Sequence, residues 1–400
     1  MKTLKLINIG NIVTYNVDNE SVISLKDKEI IISEGKISEI GSSLSSADEV
    51  FDCNNKMVTP GFVDCHTHPV FFDERENEFE MRTKGCSYED IAAEGGGINH
   101  SVESVRNASE AELISRVNPR MNDFLRLGTT TIEAKSGYGL NLEAELKSLK
   151  VLHEVDKEHD IDIIPTFMGA HAVPLEYKNN PEGYVDLLCD VIIPEVSSQG
   201  IAVFNDVFCE KGYFNIEQSE RVLTKGLEYG LIPRIHTDEF NNLGGSKLAS
   251  RLKCVSADHL MNINDDDIKY MYDSKVNAVL LPGTTFFLGN SKYAPYRKLK
   301  EAGIEIAIAS DYNPGSCNIQ SMAFIIAISS IYMKMGILDA IYSSTYAPAR
   351  LLNISDKCGS IELNKNADII VWDINDPIQI PYKFSTNPIK SVIKSGKIIF

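Results

Sequence analysis

Strand-like and helix-like segments alternate along most of the chain. Eight short apolar runs are rich in β-branched residues, and amphipathic stretches separate them. In one such stretch Leu142, Leu146, Leu149 and Leu152 fall at helical spacing. Eight β/α units in series are typical of a (β/α)8 TIM barrel, an α/β fold, and we predict that architecture. The predicted strands are 57–64, 129–135, 161–169, 202–208, 231–237, 253–257, 277–281 and 304–310.

The two ends of the chain do not follow this pattern. Residues 1–56 and 358–400 have the pattern of short strands joined by turns, and both segments contain a Gly-Lys-Ile step. We expect the two ends to pair into one small composite β-sandwich domain, with the barrel of residues 57–357 inserted between them. The alternative is that the ends form two unrelated flanking hairpins.

Composition and charge narrow the class of protein. The chain has 400 residues, of which 43% are hydrophobic and 24% charged, as is ordinary for a soluble globular enzyme. The formal net charge of -17 disfavours binding to nucleic acid or to an anionic membrane. No apolar run approaches the roughly 20 residues of a membrane-spanning helix. The eight scattered cysteines form no Cys-x-x-Cys pair, so we expect free thiols and a cytoplasmic location.

Histidines and an aspartate stand at the carboxyl ends of four predicted strands, where barrel active sites are built. The first strand runs into His66 and His68, which point the same way because side chains alternate along a strand. The fifth, sixth and eighth strands lead to His236, His259 and Asp311. A structural histidine would explain any one of these residues, but it does not explain five at strand ends. Neutral imidazole suits zinc and iron, so the pattern indicates a metal site.

This arrangement resembles the amidohydrolase superfamily, in which strands 1, 5, 6 and 8 supply the same residue types. The resemblance covers the whole chain. It implies one Zn²⁺ or Fe³⁺ per subunit, bound by His66, His68, His236 and Asp311. A second metal is not expected, because the fourth strand lacks the lysine that bridges two ions in other members. Glu210, at the end of that strand, stays open as an extra ligand.

Several longer strings are similar to the imidazolonepropionase family in particular. They are residues 93–98, 135–140, 169–174, 206–210 and 311–315. The resemblance implies hydrolytic ring opening of 4-imidazolone-5-propanoate to N-formimidoyl-L-glutamate, a step of L-histidine degradation. It also implies a small-molecule substrate as the main partner, and a homodimer.

The same resemblance gives roles to residues around the metal. Glu239, His259 and Asp311 are expected to be catalytic, with His259 as a donor to the attacked carbonyl and the two carboxylates as proton carriers. Arg75 is expected to bind the substrate propionate, because a guanidinium pairs with a carboxylate through two hydrogen bonds. Without the resemblance, Arg75 would be a solvated loop residue and Glu239 a loop carboxylate that orients His236. Substrate contacts are also expected from Tyr88, Tyr138, His171, Glu239, Asn313, Gly315 and Ser316.

Two other functions remain open on the sequence. One is another mononuclear-metal aminohydrolase that acts on a nucleobase-like ring, because the superfamily's purine and pyrimidine deaminases place a glutamate at the offset of Glu239. Arg75 and the string 135–140 favour the imidazolone substrate over that alternative. The other is a non-catalytic scaffold, which is disfavoured because every expected metal ligand is present.

Overall fold

The structure is a computed structural model that describes residues 2–86 and 96–400. The strands are β1 (Leu4–Asn16), β2 (Ser21–Leu25), β3 (Glu29–Ser33), β4 (Lys36–Gly41), β5 (Glu49–Pro60), β6 (Phe62–Thr67), β7 (Thr129–Lys135), β8 (Asp162–Ala170), β9 (Phe204–Cys209), β10 (Ile232–Thr237), β11 (Ser256–His259), β12 (Asn277–Leu280), β13 (Ile306–Ile308), β14 (Ile369–Trp372), β15 (Ile389–Lys394) and β16 (Lys397–Ile398).

The α-helices of the described residues are α1 (Glu76–Thr83), α2 (Ile98–Asn107), α3 (Glu110–Arg126), α4 (Leu142–Glu158), α5 (Pro181–Leu187), α6 (Ile193–Gln199), α7 (Ile216–Glu228), α8 (Gly245–Leu252), α9 (Asp265–Ser274), α10 (Pro282–Phe287), α11 (Tyr296–Glu301), α12 (Met322–Tyr332), α13 (Ile337–Ser344), α14 (Tyr346–Leu351) and α15 (Gln379–Tyr382). A 3₁₀ turn (Leu175–Tyr177) precedes α5, and a π-helical turn (Leu188–Ile192) joins α5 to α6.

Eight parallel strands, β6 to β13, lie side by side in chain order. Main-chain hydrogen bonds join the two ends of this sheet: Asp311 N donates to His66 O (3.0 Å), and His68 N donates to Tyr312 O (2.8 Å). Both bonds connect the end of β6 with the segment that follows β13. The barrel therefore closes at its carboxyl-terminal rim, and the predicted TIM barrel is confirmed.

The first predicted strand, 57–64, contains parts of two strands. Its first four residues end β5, where Val58 pairs with Val371 and Pro60 pairs with Ile369 in the other sheet. β6 begins only after Gly61, and a Cβ at Gly61 would lie 2.3 Å from the side-chain oxygen of Thr130. One unbroken apolar run covers both strands because both are buried there, so the pattern alone could not mark the break.

The other sheet is built from both chain ends, as predicted. Its strands follow the order β16-β15-β14-β5-β1-β3-β4, and β2 pairs with β1. Ile37 N donates to Lys365 O (2.9 Å) and Ala367 N donates to Gly35 O (2.9 Å), so the β3–β4 turn reaches the segment ahead of β14. The sheet therefore curls over, and apolar residues from both of its halves share one core. The predicted domain boundaries at residues 56 and 358 stay predictions.

Local sequence signals explain where the barrel helices begin. α3 begins with a capping box. The backbone N–H of Glu112 donates to the Ser109 hydroxyl, and the backbone N–H of Ser109 donates to the Glu112 carboxylate. Asn141 and Asn215 cap α4 and α7 through their side-chain oxygens. None of the helices in residues 2–86 and 96–400 is long and apolar enough to cross a membrane.

Candidate active site

Five predicted side chains converge at the carboxyl-terminal rim of the barrel. His66 and His68 come from the end of β6, His236 from β10, His259 from β11 and Asp311 from the segment after β13. None of the five is more than 3% exposed. Polar groups buried to this extent are costly unless they are paired or bind an ion.

The nitrogen and oxygen atoms of this cluster face one another. The Oδ1 atom of Asp311 lies 3.4 Å from His68 Nε2 and 3.5 Å from His66 Nε2, and the two Nε2 atoms are 3.3 Å apart. Candidate ligand atoms of His66, His236 and His259 also lie within 4.8 Å of one another. Among the described residues, the buried Nε2 atom of His236 has no hydrogen-bond partner. Imidazole nitrogens and a carboxylate oxygen in this arrangement fit a metal ion.

Burial keeps the histidines of the first strand neutral. Desolvation lowers the pKa of His66 and His68 far below the usual value, and the cations and histidines around them lower it further. A neutral imidazole has a lone pair on one ring nitrogen, which is the form that binds a metal ion.

Asp258 orients His66. Its Oδ2 atom lies 2.7 Å from His66 Nδ1 and accepts a hydrogen bond from the Arg234 guanidinium (2.8 Å). An ionised carboxylate can only accept, so the imidazole proton is on Nδ1 and the lone pair is on Nε2. That nitrogen is the one that faces Asp311. Residues that hold a metal ligand in this way strongly affect metal binding.

Asp206 holds His236 in the same manner. Its Oδ1 atom lies 3.0 Å from His236 Nδ1, and its Oδ2 atom lies 2.9 Å from the Lys135 ammonium. Burial alone would raise the pKa of Asp206, but His236, Lys135 and Arg234 together hold that pKa well below the usual value. The carboxylate is therefore ionised, and the free Nε2 atom of His236 points into the cluster.

These orienting groups belong to one buried network of charges. Glu133 binds Lys135 (2.7 Å) and lies 3.4 Å from Arg234, and all of these side chains are fully buried. Sequence reasoning missed the network. The signal was an acidic or basic residue inside a barrel strand, two positions before the strand end at Glu133 and three positions before it at Arg234. Such a residue points into the barrel and has to be paired there.

The backbone is strained around the rim. Asp238, His259, Leu260 and Asp311 all have positive φ, between 55° and 82°. Main-chain hydrogen bonds hold two of these residues, from Asn262 N to Asp238 O (2.8 Å) and from Asp311 N to His66 O (3.0 Å). Non-glycine residues keep such a strained backbone only where the surrounding structure holds them in it, and they are found most often at functional sites.

Glu239 and His259 lie next to each other at the rim. His259 Nε2 is 3.6 Å from Glu239 Oε2, and both side chains are buried. Burial raises the pKa of Glu239 well above its usual value, and the negative charges of Asp311 and Glu210 raise it further. Burial lowers the pKa of His259 to about 3. The surroundings therefore favour the protonated form of the Glu239 carboxyl and the neutral form of the His259 imidazole.

Glu210 binds a loop. Its carboxylate accepts hydrogen bonds from Phe240 N (2.9 Å), Asn241 N (3.1 Å) and the Asn241 amide (2.9 Å), and also from Lys211 N (2.8 Å). These bonds fix the segment that follows Glu239. With both oxygens used in this way, Glu210 has a structural role and does not belong to any potential metal cluster among the described residues.

Arg75 is held by a neighbour on α1. Its Nε and Nη2 atoms donate to the Glu78 carboxylate at 2.8 and 2.7 Å, and Gly97 N donates to the same carboxylate (2.7 Å). The guanidinium lies against Gly315, where a Cβ would be 2.5 Å from Arg75 Nη1. The buried Tyr138 senses both charges, because Arg75 lowers its pKa and Asp311 raises it, although burial has the largest effect and raises it.

The other predicted substrate contacts line the same rim. The rings of Tyr138 and His171 are 5.2 Å apart, and His171 also stacks at 5.2 Å on His68. The Asn313 side chain accepts from the backbone N–H groups of Gly315 (2.8 Å) and Ser316 (2.7 Å) and so shapes that loop. Ser316 Oγ bonds to the same amide (2.9 Å).

One predicted contact cannot be placed. Tyr88 lies outside the described residues, as does part of the predicted string 93–98.

Known proteins match this chain in both sequence and fold. A model of the amidohydrolase family matches residues 235–399. An imidazolonepropionase from Alkaliphilus metalliredigens (strain QYMF) is 42% identical over 389 residues, which cover 96% of this chain and 92% of that protein. An imidazolonepropionase from Fusobacterium nucleatum subsp. nucleatum is 43% identical over 410 residues, with 99% and 98% covered. The solved structure of an adenosine deaminase from Xanthomonas campestris with bound zinc superposes with a TM-score of 0.70 at 18% identity, covering 99% of this chain and 92% of that one.

Proposed function

The chain belongs to the imidazolonepropionase family of amidohydrolases, and we propose that it hydrolyses 4-imidazolone-5-propanoate to N-formimidoyl-L-glutamate in L-histidine degradation. The observation that carries this proposal is the combination of a histidine–aspartate cluster with a partly buried arginine at one barrel rim. A metal ion held by the cluster would activate water to open a cyclic amide. The Arg75 guanidinium can pair with the propionate group, which this substrate has and a nucleobase lacks.

His66, His68, His236 and Asp311 would hold one metal ion, zinc or iron. The support is the unpartnered Nε2 atom of His236, the neutral histidines and the carboxylate oxygen that faces them. When bound, such an ion supplies Lewis acidity, which lets water act as a nucleophile near neutral pH and polarises a carbonyl. Zinc and iron share these ligand preferences, so the choice of metal needs a measurement.

The proton from the attacking water goes to Asp311. Its Oδ1 atom faces the same nitrogens that would hold the metal, so it is within reach of a water molecule placed there. A general base must lie within hydrogen-bond reach of the proton that it accepts. Asp311 therefore serves both as ligand and as base.

His259 polarises the substrate carbonyl. With a pKa of about 3, it is neutral and can donate a hydrogen bond from its ring N–H to the oxygen on which negative charge develops. The His259 side chain is buried, and its Nε2 atom lies 3.6 Å from Glu239 Oε2.

Glu239 protonates the leaving ring nitrogen. Burial raises its pKa and so favours the protonated carboxyl, which is the form that a proton donor requires. The water oxygen joins the carbonyl carbon, the amide carbon–nitrogen bond breaks, and the nitrogen receives the proton of Glu239. The two carboxyls return to their starting states when the proton on Asp311 passes to Glu239.

Arg75 binds the substrate propionate, with Tyr138, His171, Asn313, Gly315 and Ser316 as further contacts. The guanidinium is only 9% exposed and already oriented by Glu78, so little conformational entropy is lost when the substrate binds. In a chain with a net charge of -17, a cation placed at this rim also gives a local attraction for an anionic substrate.

Hydrolysis of a nucleobase-like ring is the alternative. Glu239 would suit it, but Arg75 would then have no anionic group to bind. The two activities separate in one assay, in which purified zinc-loaded protein is offered imidazolone propionate, guanine and cytosine. We expect loss of the imidazolone absorbance and appearance of N-formimidoyl-L-glutamate. Turnover of a nucleobase without turnover of imidazolone propionate would reject the proposal.

The oligomeric state and location are also proposals. The family resemblance favours a homodimer in the cytoplasm, with no nucleic-acid or membrane partner. Sedimentation velocity on the purified protein separates a dimer of two 44.4 kDa chains from a monomer. A single monomeric species at micromolar concentration would reject the dimer.

A further inference from the structure

Thr284 bonds directly to the carboxylate of Asp311. Its hydroxyl donates to Asp311 Oδ2, while the other oxygen, Oδ1, faces His66 and His68. Thr284 is fully buried and belongs to α10, which follows the seventh barrel strand, β12. That strand supplies none of the residues predicted for the site, so Thr284 is its contribution to the rim.

We propose that Thr284 is a positioning residue that sets the rotation of the Asp311 carboxylate and thereby directs Oδ1 to the metal. The proposal rests on the metal site described under the proposed function. It adds a residue that neither the family motifs nor the metal-ligand pattern picked out.

The need for such a residue follows from the torsion angles of aspartate. The Asp311 backbone is fixed by a hydrogen bond from its N–H to His66 O (3.0 Å) and by one from the Asn313 amide to its carbonyl (2.7 Å). The last side-chain torsion of aspartate is broad and roughly two-fold, so a fixed backbone does not fix the carboxylate plane. A donor on one oxygen removes that freedom and leaves the second oxygen for the metal.

Thr284 is itself rigidly held. α10 begins with Pro282, which pre-sets the first helical turn, and Leu288 N donates to Thr284 O (3.0 Å). The neighbouring Gly283 lets the helix approach the end of the eighth strand, because a Cβ there would be 2.9 Å from Cys317 Sγ and 3.1 Å from Ser310 O. A β-branched side chain on a short, closely packed helix has few rotamers, so its hydroxyl direction is well defined.

The next residue provides a matched control. Thr285 is 1% exposed, lies on the same helix, and its hydroxyl has no hydrogen-bond partner among the described residues. Thr284→Val and Thr285→Val make the same change of shape and polarity one position apart. Only the first removes a bond to a proposed metal ligand. Thr284→Ser keeps the hydroxyl and removes a methyl group.

The test measures zinc affinity by chelator competition, together with steady-state kinetics on imidazolone propionate. For Thr284→Val we expect zinc affinity and kcat to fall roughly 10- to 100-fold, as happens when a residue that orients a ligand is lost. KM should change less than kcat, because Thr284 does not touch the substrate. Thr284→Ser should recover both values to within about threefold, and Thr285→Val should resemble the parent protein.

Each other result has a definite meaning. Unchanged zinc affinity and kcat in Thr284→Val would overturn the proposal, and so would equal losses in Thr285→Val, which would indicate a general packing effect. If the unaltered protein bound no zinc or iron, the proposed metal site itself would fail. Metal binding without turnover of imidazolone propionate would reject the substrate and leave the role of Thr284 testable through affinity alone.

Discussion

Arg75 and Glu78 form a partly buried ion pair with two parallel hydrogen bonds, Nε to Oε1 at 2.8 Å and Nη2 to Oε2 at 2.7 Å. A guanidinium has five N–H groups, of which this pair uses two. The carboxylate thus fixes the plane of Arg75, and its bond to Gly97 N ties that plane to the start of α2. Two effects of Glu78 on an anionic substrate oppose each other: it orients the arginine, and its charge offsets that of the arginine.

Glu78→Gln should weaken substrate binding, because for a planar, two-bond contact orientation matters more than total charge. We expect KM for imidazolone propionate to rise about tenfold, equivalent to roughly 1.4 kcal/mol, with kcat nearly unchanged. Glu80→Gln is the control, since Glu80 is exposed on the same helix and forms an ion pair with the exposed Lys84. A lower KM in Glu78→Gln would mean that the offset of charge dominates.

Glu239→Gln should abolish most turnover. The amide keeps the shape and can still donate a hydrogen bond, but it cannot transfer a proton, so kcat should fall about 10²- to 10⁴-fold. The pH dependence gives a second readout. The acid acts in its protonated form and burial raises its pKa, so the rate of the parent protein should fall as pH rises through that raised pKa. A variant with parent-like kcat would exclude Glu239 as the proton donor.

Asp311→Asn should reduce both metal binding and turnover. An amide oxygen is a weaker ligand than a carboxylate and cannot take the proton of water, so we expect loss of measurable kcat and a metal content well below one ion per chain. Elemental analysis of the purified variant measures its metal content. The control is Asp265→Asn, purified in parallel, because Asp265 is an exposed residue of α9. Full metal content with near-normal activity would contradict both roles of Asp311.

The sequence was sufficient to predict the barrel, because eight buried parallel strands leave eight apolar runs with amphipathic helices between them. It was also sufficient for the rim residues, since His66, His68, His236, His259 and Asp311 all lie in the last two residues of a barrel strand or within three residues after it. Periodicity could not place the break at Gly61, where a strand of the terminal sheet continues into the first barrel strand. The family resemblance, more than any spacing, singled out Arg75.

The supporting contacts could not be predicted in this way. Asp258, Asp206 and Thr284 act through contacts between different β/α units, and such contacts depend on the register of the closed barrel. Glu210 illustrates the reverse case. Its position after the fourth strand suggested a possible ligand, but the loop that follows Glu239 uses its carboxylate.

Asp258→Asn tests the buried charge network. The aspartate accepts from both His66 Nδ1 (2.7 Å) and Arg234 Nη2 (2.8 Å), so the amide removes the carboxylate closest to a fully buried guanidinium and leaves it only the more distant Glu133 carboxylate (3.4 Å). Breaking a buried ion pair from one side typically costs about 3–5 kcal/mol, and we expect the free energy of unfolding of the metal-free protein to fall by that order. Urea denaturation measures it, with Asp265→Asn as the surface control.

The same variant separates a structural role from a role in metal binding. Zinc that binds the folded protein raises its free energy of unfolding. The increase grows with the logarithm of the ratio of the free zinc concentration to the dissociation constant. If Asp258 also orients His66, the affinity for zinc should fall about 10- to 100-fold, and the stabilisation by zinc should be smaller in Asp258→Asn than in the parent protein. An equal stabilisation by zinc in the two proteins would mean that Asp258 serves only the fold, and that His66 is held for the metal by something other than this hydrogen bond.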